Sequence, residues 1–265
     1  MSKDVNTSDK EMSFWDHLEV LRWSLFRVVI VLVIFTVGCF IAMPYIFDSF
    51  VLGPTTSDFF LYRWLGSLGG HGGALMPDFG GDYKVDIINI NVATQFLTHI
   101  STSFWFALVL TFPYLIYEIW KFIRPALFPN EQKHVRTAFI CGGGLFYIGC
   151  AIGYCIVFPL TFRFLTQYHI GEAVVNQISL NSYMGNFLML IFVMGLVFEM
   201  PMLAWVLSAL GILKKGFLRE YRRYAIIVLL VLAALITPSG DPFTLSVVFL
   251  PLYLLYELSI VVVKE

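Results

Sequence analysis

Residues 183–213 read YMGNFLMLIFVMGLVFEMPMLAWVLSALGIL and carry one formal charge, Glu199. A helix rises ~1.5 Å per residue, so a bilayer core of about 30 Å needs roughly 20 apolar positions. This stretch exceeds that length, and it has company. Residues 25–43 are apolar apart from Arg27. Residues 96–117 are apolar with a central Ser-Thr-Ser patch and Pro113, and residues 137–158 carry no charge. Residues 243–263 are interrupted by Pro251 and Glu257. Residues 224–237 are short, reaching about 21 Å as a helix.

The composition agrees with this pattern. Of 265 residues, 58% are hydrophobic and 13% charged, against about 45–50% and about 25% in soluble domains. Mean hydropathy is +0.79. A soluble fold of this length cannot hide that much apolar surface. Nucleic-acid binding is disfavoured by a net charge of −1, which offers no basic footprint for phosphates. The expected fold is all-α: one polytopic integral membrane domain over residues 1–265. It has six transmembrane helices near 25–43, 96–117, 137–158, 183–213, 224–237 and 243–263, the last two being short.

Charge gives the orientation. Fourteen Lys and Arg lie in the N-tail, in the loops after the second and fourth spans and at the C-terminus, against three (Arg63, Lys84, Arg163) on the other side. An excess of Lys and Arg marks the cytoplasmic face. Both termini are then cytoplasmic, and residues 44–94 form a long outer loop. That loop includes a Gly-rich stretch at 66–81, a composition that favours a flexible connection. No cleavable leader is visible in the polar N-tail. The four cysteines form no CxxC pair and read as small apolar residues.

A few polar residues stand against the apolar background. The N-tail is expected to start an amphipathic helix near Ser13 and Asp16, lying on the membrane surface before turning into the first span. Its face with Asp16 and Glu19 suits a cationic peptide better than anionic lipid, although Glu19 also stands at i,i+3 from Arg22 and can simply pair with it. Glu131 would open the helix leading to the third span, either as a dipole cap or as a second acidic site. Glu118 lies at the cytoplasmic end of the second span. Glu199 is costly at membrane depth, ~2.5–3.5 kcal/mol on insertion scales, so it needs a partner, a wet cavity or a proton. Pro201 removes an amide just after it and predicts a kink. Asp241 reads as an N-cap before the last span. No HExxH, GxSxG or Walker loop is present, and the five histidines are scattered. No enzyme, metal or cofactor chemistry is therefore expected.

Several motifs then occur in order. They are Asp16-His17-Leu-Glu19-Val20-Leu21-Arg22, Pro113-Tyr-Leu-Ile-Tyr-Glu118-Ile-Trp120-Lys-Phe122-Ile-Arg-Pro125-Ala-Leu, Leu145-Phe-Tyr-Ile-Gly149 and Val157-Phe-Pro159-Leu. Phe198-Glu199-Met-Pro201 and Pro251-Leu-Tyr-Leu-Leu-Tyr-Glu257 follow. On six spans, this series resembles the TatC family of the twin-arginine translocase over nearly the whole chain. The resemblance implies a cup-shaped core receptor in the bacterial inner membrane. It would bind twin-arginine signal peptides at the cytoplasmic face and help move folded proteins, driven by the proton-motive force. Its partners would be single-span proteins of the TatA and TatB type, in an oligomeric complex.

By the same resemblance, the N-tail carboxylate and Glu131 receive the arginine pair, with Phe122 beside them. Glu199 is the intramembrane carboxylate of the concave face. Thr237 and Asp241 match polar positions at the outer end of the last two spans, where Thr237 helps seat a partner helix. Pro54 matches a proline of the first outer loop. The family pattern is His-Leu-x-Glu-Leu-Arg, whereas here Glu19 stands one position early and Val20 takes the usual place. That rotates the carboxylate by about 100°, so either Glu19 substitutes or Glu131 carries more of the recognition. Leu245 stands where the family often has a polar residue. Two other readings are a small-solute transporter with Glu199 as proton relay, and an intramembrane enzyme. The first lacks further converging polar residues, and the second lacks a catalytic set.

Adjacent short spans imply local bilayer thinning. Inserting four leucines within 224–237 is expected to impair transport in a reconstituted assay while signal-peptide binding persists. Unchanged transport would refute the thinning idea.

Overall fold

The computed structural model describes residues 14–67, 82–124, 129–169, 171, 176–237 and 239–263, with side chains for all of these except 14–17, 129–136 and 138. The structure is mostly helical. Helix α1 spans Phe14–Ile46, α2 Phe60–Ser67, α3 Thr94–Ile123, α4 Pro129–Ile152 and α5 Phe158–Gln167. Then come α6 Leu180–Val197, α7 Met200–Ala209, α8 Lys215–Glu220, α9 Arg222–Ile236 and α10 Pro242–Val262. Strands β1 Ile87–Ile88 and β2 Ile178–Ser179 form a two-residue parallel pair. Among the described residues, five segments are long and apolar enough to cross a membrane: Leu18–Thr55, Thr94–Ile123, Phe139–Gln167, Leu180–Ala209 and Pro242–Val262. Residues expected to form the short fifth span make α9, whose 15 residues reach about 22 Å. In such a chain, exposed apolar side chains are the lipid-facing ones. Phe26, Ile34 and Ile41 on α1 are each more than half exposed.

The N-terminal segment departs from expectation. Helix α1 runs unbroken from Phe14 to Ile46, so no turn separates an interfacial helix from the first span. The physical reason is local. Its only proline is Pro44 near the far end, and Gly38 is its one glycine. Nothing earlier opens the i→i−4 ladder, and an intact ladder is the cheapest backbone in apolar surroundings. Ser13 and the Asp16 side chain lie outside the described residues. So does most of the Gly-rich stretch.

The helix expected over residues 183–213 breaks once. α6 ends at Val197 and α7 starts at Met200, with Phe198 and Glu199 in a turn between them. Pro201 sits in the first turn of α7, where its missing N–H costs nothing. Upstream, α4 and α5 are joined through a π-helical turn at Gly153–Val157. The span expected at 137–158 therefore continues to Gln167.

The centre of the bundle is the contact of α4 with α6, and glycines set its spacing. A Cβ at Gly149 would lie 2.6 Å from the Met194 carbonyl, and one at Gly153 3.0 Å from the Ile191 Cα. From the other side, a Cβ at Gly195 would lie 2.6 Å from the Cys150 sulfur and 2.7 Å from the Phe146 ring. Small residues let membrane helices approach until their backbones touch, replacing the hydrophobic drive that lipid cannot supply. The adjoining space is filled by rings: Phe146, fully buried, stacks on Phe112 of α3 at 3.5 Å.

At one end of the bundle, the loop after α1 is sewn to α4–α6 by tyrosines. Tyr154 donates to the Phe50 carbonyl at 2.9 Å, and Tyr183 to that of Val51 at 2.5 Å. The Tyr62 hydroxyl reaches the carbonyls of Pro54 and Pro159 at 3.1 and 2.9 Å. Arg163 of α5 is 1% exposed. Its guanidinium lies between the Tyr62 and Tyr83 rings, 4.6 and 4.5 Å from their centroids, the geometry of a double cation–π contact. Tyr83 also hydrogen-bonds Thr166 Oγ1 at 2.7 Å, and burial pushes its hydroxyl up to about 12. This part of the loop after α1, expected only as a connection, is a packed cap.

Gly149→Ala and Gly195→Ala are expected to destabilise the protein by about 1–3 kcal/mol each, because overpacking moves backbone. Gly143→Ala has nothing within 4 Å of the new Cβ and should be neutral. Thermal unfolding in detergent measures the difference, and equal effects at all three sites would refute the spacing role.

Candidate functional site

Helices α1 and α3 are antiparallel neighbours. His99 near the start of α3 stacks on Phe40 near the end of α1 at 3.9 Å, while Arg27 meets Glu118 at the other end. Glu19 therefore lies two turns before Arg27, and Phe122 one turn beyond Glu118, both at the same end of the pair. Glu131 stands in the first turn of α4, which follows α3 at that end, with its side chain outside the described residues. The structure thus groups Glu19, Phe122 and Glu131 at one end. Pro54, Thr237 and Asp241 lie at the opposite end, and Glu199 lies between.

The carboxylates differ in what already occupies them. Glu118 is 3% exposed. Arg27 donates Nε to its Oε1 at 3.0 Å and Nη2 to its Oε2 at 2.8 Å, and Tyr114 adds a hydroxyl to Oε1 at 3.0 Å. Ser24 Oγ accepts from Arg27 Nη2 at 3.0 Å. This is a two-pronged guanidinium–carboxylate fork, and it is filled. Glu257 repeats the arrangement: Arg222 Nη2 donates to Oε2 at 2.7 Å and Tyr253, one turn earlier, donates to Oε1 at 3.0 Å. Both carboxylates pin one helix to its neighbour, and neither spacing is visible in sequence.

Glu19 is different. It is 63% exposed and meets Arg22 only at 3.8 Å, beyond hydrogen-bond length. The Arg22 guanidinium lies 5.7 Å from the Trp23 ring centroid. The i,i+3 pairing expected from sequence exists as a loose, solvated contact, which leaves the carboxylate accessible to a stronger guanidinium partner.

Glu199 is 5% exposed, and neither carboxylate oxygen has a hydrogen-bond partner among the described residues. It occupies the turn between α6 and α7, where α4 presents a glycine. A Cβ at Gly142 would stand 2.7 Å from Glu199 Oε2 and 2.9 Å from Met202 Cε. Thr102 and Thr111 of α3 are also buried with unpartnered hydroxyls among the described residues. Glu199 stands out in the sequence by its charge, but those threonines do not, because a threonine in a span is ordinary until its partners are known.

At the far end, Thr237 closes α9, 5% exposed, its hydroxyl only 3.4 Å from the Ala234 carbonyl. Asp241 caps α10 as expected, accepting from the Thr244 amide at 2.8 Å, and the Ser239 hydroxyl donates to its other oxygen. Burial opposes its charge, but these hydrogen bonds outweigh it and hold the carboxyl below the ordinary 3.8. Pro54 is buried under Tyr62 within the packed cap. Among the described residues no group of His, Cys, Asp and Glu could hold a metal ion.

Two outcomes follow from these contacts. Arg27→Met and Glu118→Leu should each lower the unfolding midpoint, and the double variant should lose less than their sum, since each single change strands the other charge. Strict additivity would refute the coupling. Asp241, whose carboxyl is depressed on folding, stabilises the fold above pH 3.8, and that contribution fades as acid titrates it. Asp241→Ala should cost about 1 kcal/mol at neutral pH, as a lost cap does, and should shrink the stability lost on acidification. An unchanged acid slope would rule this out.

The same arrangement of helices occurs in known proteins. The family model for the Sec-independent protein translocase protein (TatC) matches residues 16–251. The Sec-independent protein translocase protein TatC of Blattabacterium sp. subsp. Periplaneta americana (strain BPLAN) is 34% identical over 257 residues, covering 97% of this chain and 96% of that relative. The protein of the same name from Deinococcus radiodurans is 34% identical over 250 residues, covering 93% and 84%. A crystal structure of a twin arginine translocase receptor, TatC, is similar with a TM-score of 0.70 at 27% identity, over 93% of this chain and 97% of that one. A second, in DDM, gives 0.73 at 27% identity over 94% and 100%. With five helices among the described residues long and apolar enough to cross a bilayer and a match running over most of its length, this chain is an integral membrane protein of the TatC family.

Proposed function

We propose that the chain is the core receptor of a twin-arginine protein translocase. It binds paired-arginine signal peptides where α1 begins, α3 ends and α4 begins. The observation that carries this reading is the uneven occupation of the carboxylates at that end. Glu118 and Glu257 are each filled by an internal arginine and a tyrosine, while Glu19 is exposed and held only at 3.8 Å. A guanidinium fork binds a carboxylate in two parallel hydrogen bonds, so an incoming arginine gains at Glu19 what it cannot gain at the filled sites. Glu131 supplies the second carboxylate and Phe122 an aromatic neighbour.

The surrounding architecture follows from the same reading. Six helices cross the cytoplasmic membrane, with α9 as the short one, and form a cup. The basic residues of α8 and the start of α9 put that end, and both termini, in the cytoplasm. Single-span partner proteins dock against the membrane face, with Thr237 and Asp241 contributing at the outer end. Glu199, buried and unpaired among the described residues, takes a proton or a polar group of a partner while folded cargo passes, driven by the proton-motive force. The receptor moves cargo without breaking covalent bonds and needs no cofactor.

Photo-crosslinking from probes at positions 19, 122 and 131 to a twin-arginine signal peptide tests the site. Crosslinks should appear with the arginine pair and fall when both arginines are changed to lysines. Crosslinks indifferent to that change would overturn the receptor reading. Glu131→Lys should reduce binding, and normal export with that variant would remove Glu131 from the site.

A further inference from the structure

At the end of the bundle opposite Glu19, α1 finishes in a π-helical turn, Phe47–Val51, beside the first turns of α3. An open cavity of about 500 Å³ lies between them. Its walls are of two kinds. Apolar side chains such as Phe47 and Phe96 line part of it, and Asp48, Gln95, Thr98 and His99 line the rest. Phe96 and the nearby Tyr45 are 62% and 84% exposed, an aromatic placement typical of the membrane–water boundary.

The polar lining separates into donors and acceptors. Helix α3 starts at Thr94 after Ala93, with no side-chain cap and no acidic residue in its first turn. The amides of Gln95 and Phe96 have no acceptor among the described residues. A helix N-terminus in that state favours an anion. Independently, Thr98 is 7% exposed, lines the cavity, and makes no hydrogen bond with its hydroxyl among the described residues. It adds a donor beside the free amides.

The acceptors are Asp48 and His99. Asp48 is exposed on the turn and forms no ion pair among the described residues. His99 Nε2 is 2.8 Å from the Phe40 carbonyl. A carbonyl only accepts, so Nε2 carries the hydrogen, and Nδ1 of the neutral ring is left as an acceptor. Stacking on Phe40 fixes the ring plane.

We propose that this cavity binds the headgroup of an ethanolamine phospholipid. The phosphate sits on the α3 amides and the Thr98 hydroxyl, and the primary ammonium on Asp48 and His99 Nδ1. The acyl chains follow the apolar wall onto the exposed faces of α1 and α3. Charge complementarity selects this lipid. A glycerol headgroup brings no cation to Asp48, and a choline headgroup has no N–H to donate. Lipid binding here does not depend on the signal-peptide reading.

The test uses the full chain, purified in dodecyl maltoside and depleted of lipid, with a photoreactive phosphatidylethanolamine. Label should appear in the segments around residues 43–48 and 94–99. Unlabelled phosphatidylethanolamine should compete about tenfold better than phosphatidylglycerol or phosphatidylcholine, the size expected for one charge-assisted contact. Asp48→Asn, at an exposed position, should abolish that preference, and Thr98→Val should weaken labelling by all lipids. Unfolding midpoints confirm that each variant is folded. Equal competition by phosphatidylglycerol, equal competition by inorganic phosphate, or an unchanged preference in Asp48→Asn would overturn the proposal.

Discussion

The approach of α4 to α6 is the constraint on which the rest depends. Gly149, Gly153 and Gly195 let the helices meet at backbone distance, and the rings of Phe146 and Phe112 fill the space beside that seam. In lipid, burying apolar side chains against one another gains little, so close van der Waals contact has to supply the cohesion. The seam also sets where polar groups can go. Because α4 offers glycine opposite the α6–α7 turn, a carboxylate fits there.

A second layer of cohesion lies at the two ends. At one end, two tyrosine–glutamate–arginine clusters tie α1 to α3 and α9 to α10. At the other, tyrosines and Arg163 lock the loop after α1 onto α4, α5 and α6. Charges used this way are structural, and recognising them as such separates them from the few that remain available. A reading of carboxylates by position alone would rank Glu118 with Glu19. Their surroundings place them in different classes, since Glu118 accepts from Arg27 at both oxygens while Glu19 is solvated.

Much of the fold is legible in the sequence because long apolar runs have few alternatives to helix, and because Pro201 and Asp241 act through local backbone chemistry. The break before Pro201 and the cap at Asp241 involve partners within a few residues. What stays hidden is long-range. Arg27 finds Glu118 across 91 positions, and Arg163 finds the Tyr62 and Tyr83 rings by a route no periodicity records. The continuity of α1 is hard to read because the polar character of residues 14–24 suggests a change of direction, whereas a helix needs a breaker to turn. The glycines after Cys141 are equally silent: only the facing helix shows which of them are in contact.

The turn at Glu199 couples two positions on different helices. An added Cβ at position 142 would lie 2.7 Å from Glu199 Oε2, so the two positions share one small volume. The atom that such a side chain would meet is the free end of the glutamate, so the carboxylate swings aside before the backbone moves. The residue carried at position 142 therefore sets where in that volume the acid points.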